Sequence, residues 1–215
     1  MTTPTPASGD AVEPARLFDP VFTDPPDDAV DVVVPAPRSL AVYMDSLQHT
    51  GHAGVLAGLR DLYWREAATC VREVQRRFGC VLTADGPAPA RLAITHIVDE
   101  RVPGVAGLRP HVHVYVAATG TTVAEGLRAP VDLEALAARA DDLYDHHRDR
   151  LAAATAEGWG LTWGRPTPSA PTEIVEPAWT GRAALELLRR EEPWCPGVWV
   201  RRQIVAGAAP RREVT

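Results

Sequence analysis

The segment "LRPHVHVYV", residues 108–116, carries two histidines, His111 and His113, on either side of a single valine. Apolar and β-branched residues surround them, and this alternation is typical of a β-strand. Successive side chains of a strand point to opposite faces of the sheet. The valines at positions 112, 114 and 116 are therefore expected on one face, under packed helices, and the two imidazoles on the other.

Two imidazoles on one strand face can hold a single cation, provided that a third ligand is close. His96 lies in "RLAITHIV", residues 91–98, which is also strand-like, and pairing of the two strands would bring the third imidazole to the site. Three neutral imidazoles leave positions open on the metal for water or a phosphate oxygen, as a catalytic site requires. The alternative is a half-exposed sheet face on which the histidines bind no metal.

The order of strand-like and helical segments predicts an α+β fold of two layers, with helices packed on a mainly antiparallel central sheet. The clearest helix covers residues 55–78 and ends before Gly79, a typical C-terminal residue. Ser39 is expected to cap an earlier helix, and Asp132 a second long helix over residues 133–158. A last helix is expected over residues 180–192.

Length and composition predict one domain with flexible ends. We expect an acidic, proline-rich arm over residues 1–27, a folded domain over 28–205 and a loose tail over 206–215. No run of eighteen apolar residues predicts a membrane span, and no basic and apolar N-terminal segment predicts a secretory signal. The three cysteines are odd in number and form no CxxC pair, which favours reduced thiols and a cytoplasmic protein.

Negative charge is concentrated near the N-terminus. Residues 1–35 hold seven of the chain's 28 acidic residues and one of its 22 arginines. The remainder, residues 36–215, therefore holds 21 acidic residues and 21 arginines and is neutral. The acidic segment is interpreted as a solvated tail or as a competitor with nucleic acid for a basic groove. The neutral remainder lacks the basic excess that is typical of strong nucleic-acid binding.

Four stretches, in order, resemble the conjugative relaxases of the TrwC/MobF type, which are HUH endonucleases. They are "VDVVVPAPRSLAVYM" (30–44), the long helix 55–78, "AITHIVDERVPGVAGLRPHVHVYV" (93–116) and residues 127–163. The first resembles the family's strand–Ala-Pro-Lys-Ser–helix segment, with Arg38 in place of lysine. The third resembles the segment that carries a lone histidine and then the HxH pair. The resemblance covers about residues 28–165 and, more weakly, 172–205.

The family cuts single-stranded DNA with a tyrosine nucleophile and a divalent metal. The resemblance therefore implies a Mg²⁺, Mn²⁺ or Zn²⁺ ion held by His96, His111 and His113. It implies that Asp31 orients a ligand histidine or acts as a base. It also implies single-stranded DNA, and conjugation or replication proteins, as partners. The candidate DNA contacts are Arg38, Arg101 and Arg109.

The chain departs from the family at the nucleophile. The family's tyrosine lies upstream of the "VDVVV" strand, whereas residues 1–42 contain no tyrosine. Tyr144, on the helix after the HxH strand, and Tyr115, on the histidine face, are the candidate replacements. Tyr43 and Tyr63 are expected in the core or an interface. His146 and His147 are expected on a solvated helix face.

Three functions remain open at this point. The first is a metal-dependent DNA-binding protein of a mobile element, derived from a relaxase, that nicks single-stranded DNA. The second is an inactive relative that binds DNA or a protein of the transfer or replication machinery. The third is a metal-dependent hydrolase that uses water, which retained histidines without a tyrosine nucleophile would suit.

Overall fold

The computed structural model describes residues 28–102, 106–164 and 173–177, together with the backbone of residues 203–205. The arm expected over residues 1–27, the helix expected over 180–192 and the tail expected over 206–215 lie outside these ranges. The limits predicted for the domain therefore remain a prediction.

The described part of the chain alternates between strands and helices. The strands are β1 (Val30–Pro35), β2 (Cys80–Thr83), β3 (Gly86–Asp99), β4 (His111–Thr122), β5 (Arg128–Pro130), β6 (Thr162–Trp163), β7 (Ile174–Glu176) and β8 (Gln203–Val205). The helices are α1 (Arg38–His49), α2 (Ala53–Phe78), α3 (Leu133–Ala138) and α4 (Ala140–Trp159). The short β2 and the first residues of β3 were not expected from the sequence.

In the described ranges the main sheet has six strands, in the order β2-β3-β4-β1-β8, and β5 pairs with β4 beside this path. Every pairing is antiparallel except that of β1 with β8. Strands β6 and β7 form a separate two-stranded sheet. The predicted α+β fold with a mainly antiparallel sheet is confirmed, and β4, the histidine strand, lies between β3 and β1.

The expected alternation along β4 is also present. Val112, Val114 and Val116 are fully buried, in one apolar cluster with residues of α2 and α4 such as Leu59 and Leu143. The helices therefore cover the valine face of the sheet. Because side chains alternate, the histidines of β4 lie on the opposite face.

The start of α1 differs from the prediction. Pro37, not Ser39, occupies the cap position, and its side chain makes no capping hydrogen bond. A residue far along the chain supplies the acceptor instead, because the Ser39 N–H donates to the Glu173 carboxylate at 2.8 Å. The Ser39 hydroxyl also contacts this carboxylate, and it accepts a hydrogen bond from the Ile174 N–H at 2.8 Å. A distant acid thus replaces the local cap.

The predicted second long helix is interrupted. Asp132 caps α3 as expected, since its carboxylate accepts a hydrogen bond from the Ala135 N–H at 2.9 Å. The chain leaves helical geometry at Arg139, whose φ of −120° and ψ of 18° separate α3 from α4. Arg139 instead lies over the Phe78 ring, 5.7 Å from its centre, and pairs with Asp142. These contacts accompany the break.

No helix in the described ranges combines the length and the apolar character needed to cross a bilayer.

Candidate metal centre

Three side chains converge at the start of β4, on the sheet face opposite the helices. They are Asp99, the last residue of β3, together with His111 and His113. Asp99 is directly opposite His111 in the antiparallel pairing, and Ile97 is opposite His113. Diagonal neighbours on one face of such a pair lie within reach of long side chains. The carboxylate can therefore approach both imidazoles.

The ring of His111 is oriented by a hydrogen bond at Nδ1. His111 is only 4% exposed, and its Nδ1 lies 2.7 Å from the backbone carbonyl oxygen of Arg109. A carbonyl only accepts, so Nδ1 donates its hydrogen and the lone pair is on Nε2. Burial lowers the pKa of His111, which favours the neutral form that ligates metals.

The ring of His113 bridges two carboxylates on the flanking strands. Its Nδ1 lies 2.9 and 3.0 Å from the two carboxylate oxygens of Asp31, on β1. Its Nε2 faces the other way, 3.8 Å from a carboxylate oxygen of Asp99. Asp31 thus fixes the tautomer that leaves Nε2 available, an arrangement that is typical of metal-binding histidines. The contact is the one that the resemblance implies for Asp31.

The spacing of the three groups suits one cation after a contraction. Their ligand atoms all lie within 4.8 Å of one another. Bonds of about 2.1 Å in tetrahedral geometry place two ligand atoms about 3.4 Å apart. The ligand atoms would therefore have to approach by up to about 1.4 Å, and the Asp99 side chain, which is 56% exposed, has room to move. Two imidazole nitrogens and one carboxylate oxygen then remain as the donor set.

His96 does not belong to this cluster, and the expected convergence of three imidazoles is wrong. In the pairing of β3 with β4, His96 is opposite Val114 and so faces the helices. The register of these strands puts Asp99, three residues later, on the histidine face instead. Burial lowers the pKa of His96, as expected for an imidazole on the covered side. Asp99, the acid at the end of the same strand, was not among the ligands predicted from the sequence.

The two candidate tyrosines lie on opposite sides of the sheet. Tyr115 is on the histidine face, with its ring nearly parallel to that of His113 and 5.7 Å from it. Tyr144 packs against the apolar core under the helices, and its burial raises its pKa to about 12. A phenol that is both hard to ionise and on the far face is a poor nucleophile for this site. This geometry does not place Tyr144 at the site.

The other two tyrosines are not at the site either. Tyr63 is buried, and Tyr43 packs against the same core, as expected.

The candidate DNA-binding arginines have different surroundings. Arg101 is exposed, and Arg38 is half-buried at the start of α1, near Glu173 and Tyr144. Arg109 is only 9% exposed, and its guanidinium donates to the Leu108 carbonyl at 2.7 Å. The Arg109 side chain therefore binds the backbone of the neighbouring residue, and its charge is not exposed to a DNA phosphate. The expected role of Arg109 as a surface contact is not supported by this geometry.

The paired histidines of α4 also differ from expectation. His146 is half-buried, and His147 is fully buried, so the prediction of a solvated face is wrong for His147. Neither ring nitrogen of His147 has a hydrogen-bond partner among the described residues, and the Tyr63 ring packs edge-on 5.4 Å away. Burial lowers the pKa of His147 to about 3. It is a neutral core residue.

No protein-family model matches this chain, and no curated protein matches it. Solved structures do match, and they define the class: the chain has a relaxase fold.

The matching structures include several of the conjugative relaxase TrwC. One is TrwC in complex with mutant oriT DNA, with a TM-score of 0.51 and 13% identity over 76% of this chain and 59% of that one. A metal-bound TrwC structure with oriT DNA has a TM-score of 0.51 and 14% identity, over 75% and 57%. TrwC with a 27-mer DNA has a TM-score of 0.50 and 12% identity, over 75% and 59%. The present chain thus spans less than two thirds of these relaxase chains.

Proposed function

We propose that this chain is a metal-dependent, relaxase-like protein that binds single-stranded DNA and acts in the conjugation or replication of a mobile element such as a plasmid. The observation that carries the proposal is the cluster of Asp99, His111 and His113 on one sheet face. A relaxase fold supports the same function, because the similar TrwC structures contain DNA.

Asp99, His111 and His113 would hold one divalent cation, Mg²⁺, Mn²⁺ or Zn²⁺. Both imidazoles have Nδ1 engaged, with a carbonyl or with Asp31, so that both can offer Nε2. A bound divalent ion would polarise a phosphate oxygen or activate water. The mixed set of two nitrogens and one oxygen suits Mn²⁺ or Zn²⁺ better than Mg²⁺, which prefers oxygen ligands.

The residues around the cluster suit a bound phosphate. The exposed Asp99 leaves one side of the cluster accessible, whereas His111 is enclosed. Tyr115 lies beside His113 on the same face, where an aromatic ring can stack on a base. Arg38 and Arg101 remain candidate phosphate contacts. We therefore propose that the metal centre contacts a phosphate of a single-stranded DNA and that Tyr115 contacts a neighbouring base of the same DNA strand.

Hydrolysis by metal-activated water is a second candidate, and a specific observation favours it. Of the tyrosines, only Tyr115 lies on the face of the cluster, and it belongs to the middle strand of a sheet, with its ring stacked on His113. Three protein ligands leave coordination positions open. A site that is accessible but lacks a mobile phenol suits attack by water better than attack by tyrosine.

The direct test is the affinity for a fluorescent single-stranded oligonucleotide, measured by anisotropy with Mn²⁺ and with EDTA at two salt concentrations. We expect Mn²⁺ to strengthen binding, and His111→Ala to remove this gain without changing the metal-free affinity. His52→Ala, at an exposed histidine bonded to Thr50, is the matched control and should behave like the parent. Equal affinity with Mn²⁺ and with EDTA would refute a metal-dependent function.

A further inference from the structure

We infer that the ion pair between Arg60 and Glu100 positions two of the three metal ligands, Asp99 and His111, and thereby sets the metal affinity of the cluster. The inference rests on the proposed metal function. It assigns a positioning role to two residues outside the cluster, one on α2 and one in the connection between β3 and β4.

The pair has the geometry of a rigid clamp. The Arg60 Nε donates to one carboxylate oxygen of Glu100 at 2.6 Å, and Nη2 donates to the other at 2.7 Å. Two parallel hydrogen bonds fix both the position and the orientation of the carboxylate. Both side chains are partly shielded from water, with exposed fractions of 35% and 27%. The clamp therefore ties the end of β3 to α2.

The backbone connects this clamp to both ligands. Glu100 directly follows Asp99, so its position constrains the backbone that carries the Asp99 side chain. The carbonyl oxygen of Glu100 accepts a hydrogen bond from the Arg109 N–H at 2.7 Å. The carbonyl of Arg109 in turn accepts from His111 Nδ1 at 2.7 Å. Clamping Glu100 thus constrains Asp99 on one side and His111 on the other.

The third ligand, His113, is oriented by a different residue. Asp31 orients His113 from β1, and neither residue contacts the clamp through the bonds described above. A second anchor supports the connection, since the Leu108 N–H donates to the Asp45 carboxylate at 2.9 Å. Loss of the clamp should therefore loosen the cluster without dismantling it.

The test compares Mn²⁺ affinity, measured by calorimetry, in the full chain and in Arg60→Gln. We expect a loss of about tenfold, near the lower end of the effect of partners that support metal ligands. Arg60→Lys, which retains the charge but not the paired bonds, should lie in between, and the exchange R60E/E100R should recover affinity. The matched control is Arg150→Gln, which removes a similar pair with Glu66 at 2.5 and 3.2 Å, away from the cluster.

A second measurement does not need the metal. Nitrogen NMR of the imidazoles reports which ring nitrogen of His111 carries the hydrogen. In the parent protein, His111 should carry its hydrogen on Nδ1. The share of this tautomer should be smaller in Arg60→Gln and should equal that of the parent in Arg150→Gln. Failure of the parent to bind Mn²⁺ would refute the proposed function and leave the tautomer to decide the inference. If the parent binds Mn²⁺ and Arg60→Gln binds it equally tightly, the positioning role of the ion pair is refuted. The same holds if Arg60→Gln shows the same His111 tautomer as the parent.

Discussion

His113 and His147 are both shielded imidazoles, but their surroundings differ in kind. His113 Nδ1 is bonded to the Asp31 carboxylate, which leaves Nε2 directed at Asp99. Within the part of the chain that the structure describes, His147 has no hydrogen-bond partner on either nitrogen, and the Tyr63 ring packs against it in the helical layer. A buried polar group without a partner lowers stability, whereas an oriented imidazole beside a carboxylate is ready to bind a cation. The hydrogen-bond partners thus distinguish His113, the proposed metal ligand, from His147, which packs in the core.

The largest effect is expected from removal of the ligand. His113→Ala should lower the affinity for Mn²⁺ by more than about a hundredfold, because loss of a residue that merely supports a ligand already costs about 10- to 100-fold. The fold should survive, as judged by circular dichroism. His147→Leu should leave Mn²⁺ affinity unchanged, and equal losses in the two variants would remove the distinction between them.

The next effect concerns stability against pH. The pKa of His147 is about 3 in the folded protein and near 6.5 in the unfolded chain, so its contribution to stability is fully present above pH 6.5 and is lost as the pH falls toward 3. The loss at pH 5, relative to pH 8, should be about 2 kcal/mol.

Urea unfolding of the parent and of His147→Leu at both pH values checks this prediction. Leucine keeps the apolar packing and does not titrate, so the difference between the two proteins should widen as the pH is lowered. A difference that stays constant from pH 8 to pH 5 would show that His147 is not a neutral buried group.

A smaller effect is expected from Asp31, which acts on the metal through His113. Asp31→Asn retains an oxygen that can accept from Nδ1 but removes the negative charge beside the ring. Mn²⁺ affinity should fall about tenfold, less than in His113→Ala. Calorimetric titration of the two variants in parallel provides the ranking, and an Asp31→Asn protein that binds as tightly as the parent would assign Asp31 to stability alone.

The smallest effect is expected from the tyrosine on the same face. Incubation with Mn²⁺ or Mg²⁺ and single-stranded oligonucleotides should produce no covalent DNA–protein adduct on a denaturing gel, because Tyr115 is held in a strand and Tyr144 lies on the far face. Cleavage without an adduct would indicate attack by water. A strong adduct that is abolished by Tyr115→Phe would show that this tyrosine is a nucleophile.

The sequence predicted most of the layer arrangement and only part of the site. Alternation around His111 is strictly local, so the face of β4 could be read directly. The face of His96 depends on its pairing with β4, and the irregularity in register between Leu92 and Ile94 cannot be read from either segment. His147 lies four residues from both Leu143 and Leu151, and this helical spacing was a usable sign of its burial.

The identity of the third ligand tests the central claim most directly. Mn²⁺ affinity should be measured by calorimetry for Asp99→Ala and His96→Ala, alongside the parent protein. Asp99 lies beside both imidazoles, and His96 faces the helices, so we expect Asp99→Ala to lose binding and His96→Ala to retain it. The opposite result, with binding lost in a folded His96→Ala and retained in Asp99→Ala, would contradict the account of the site.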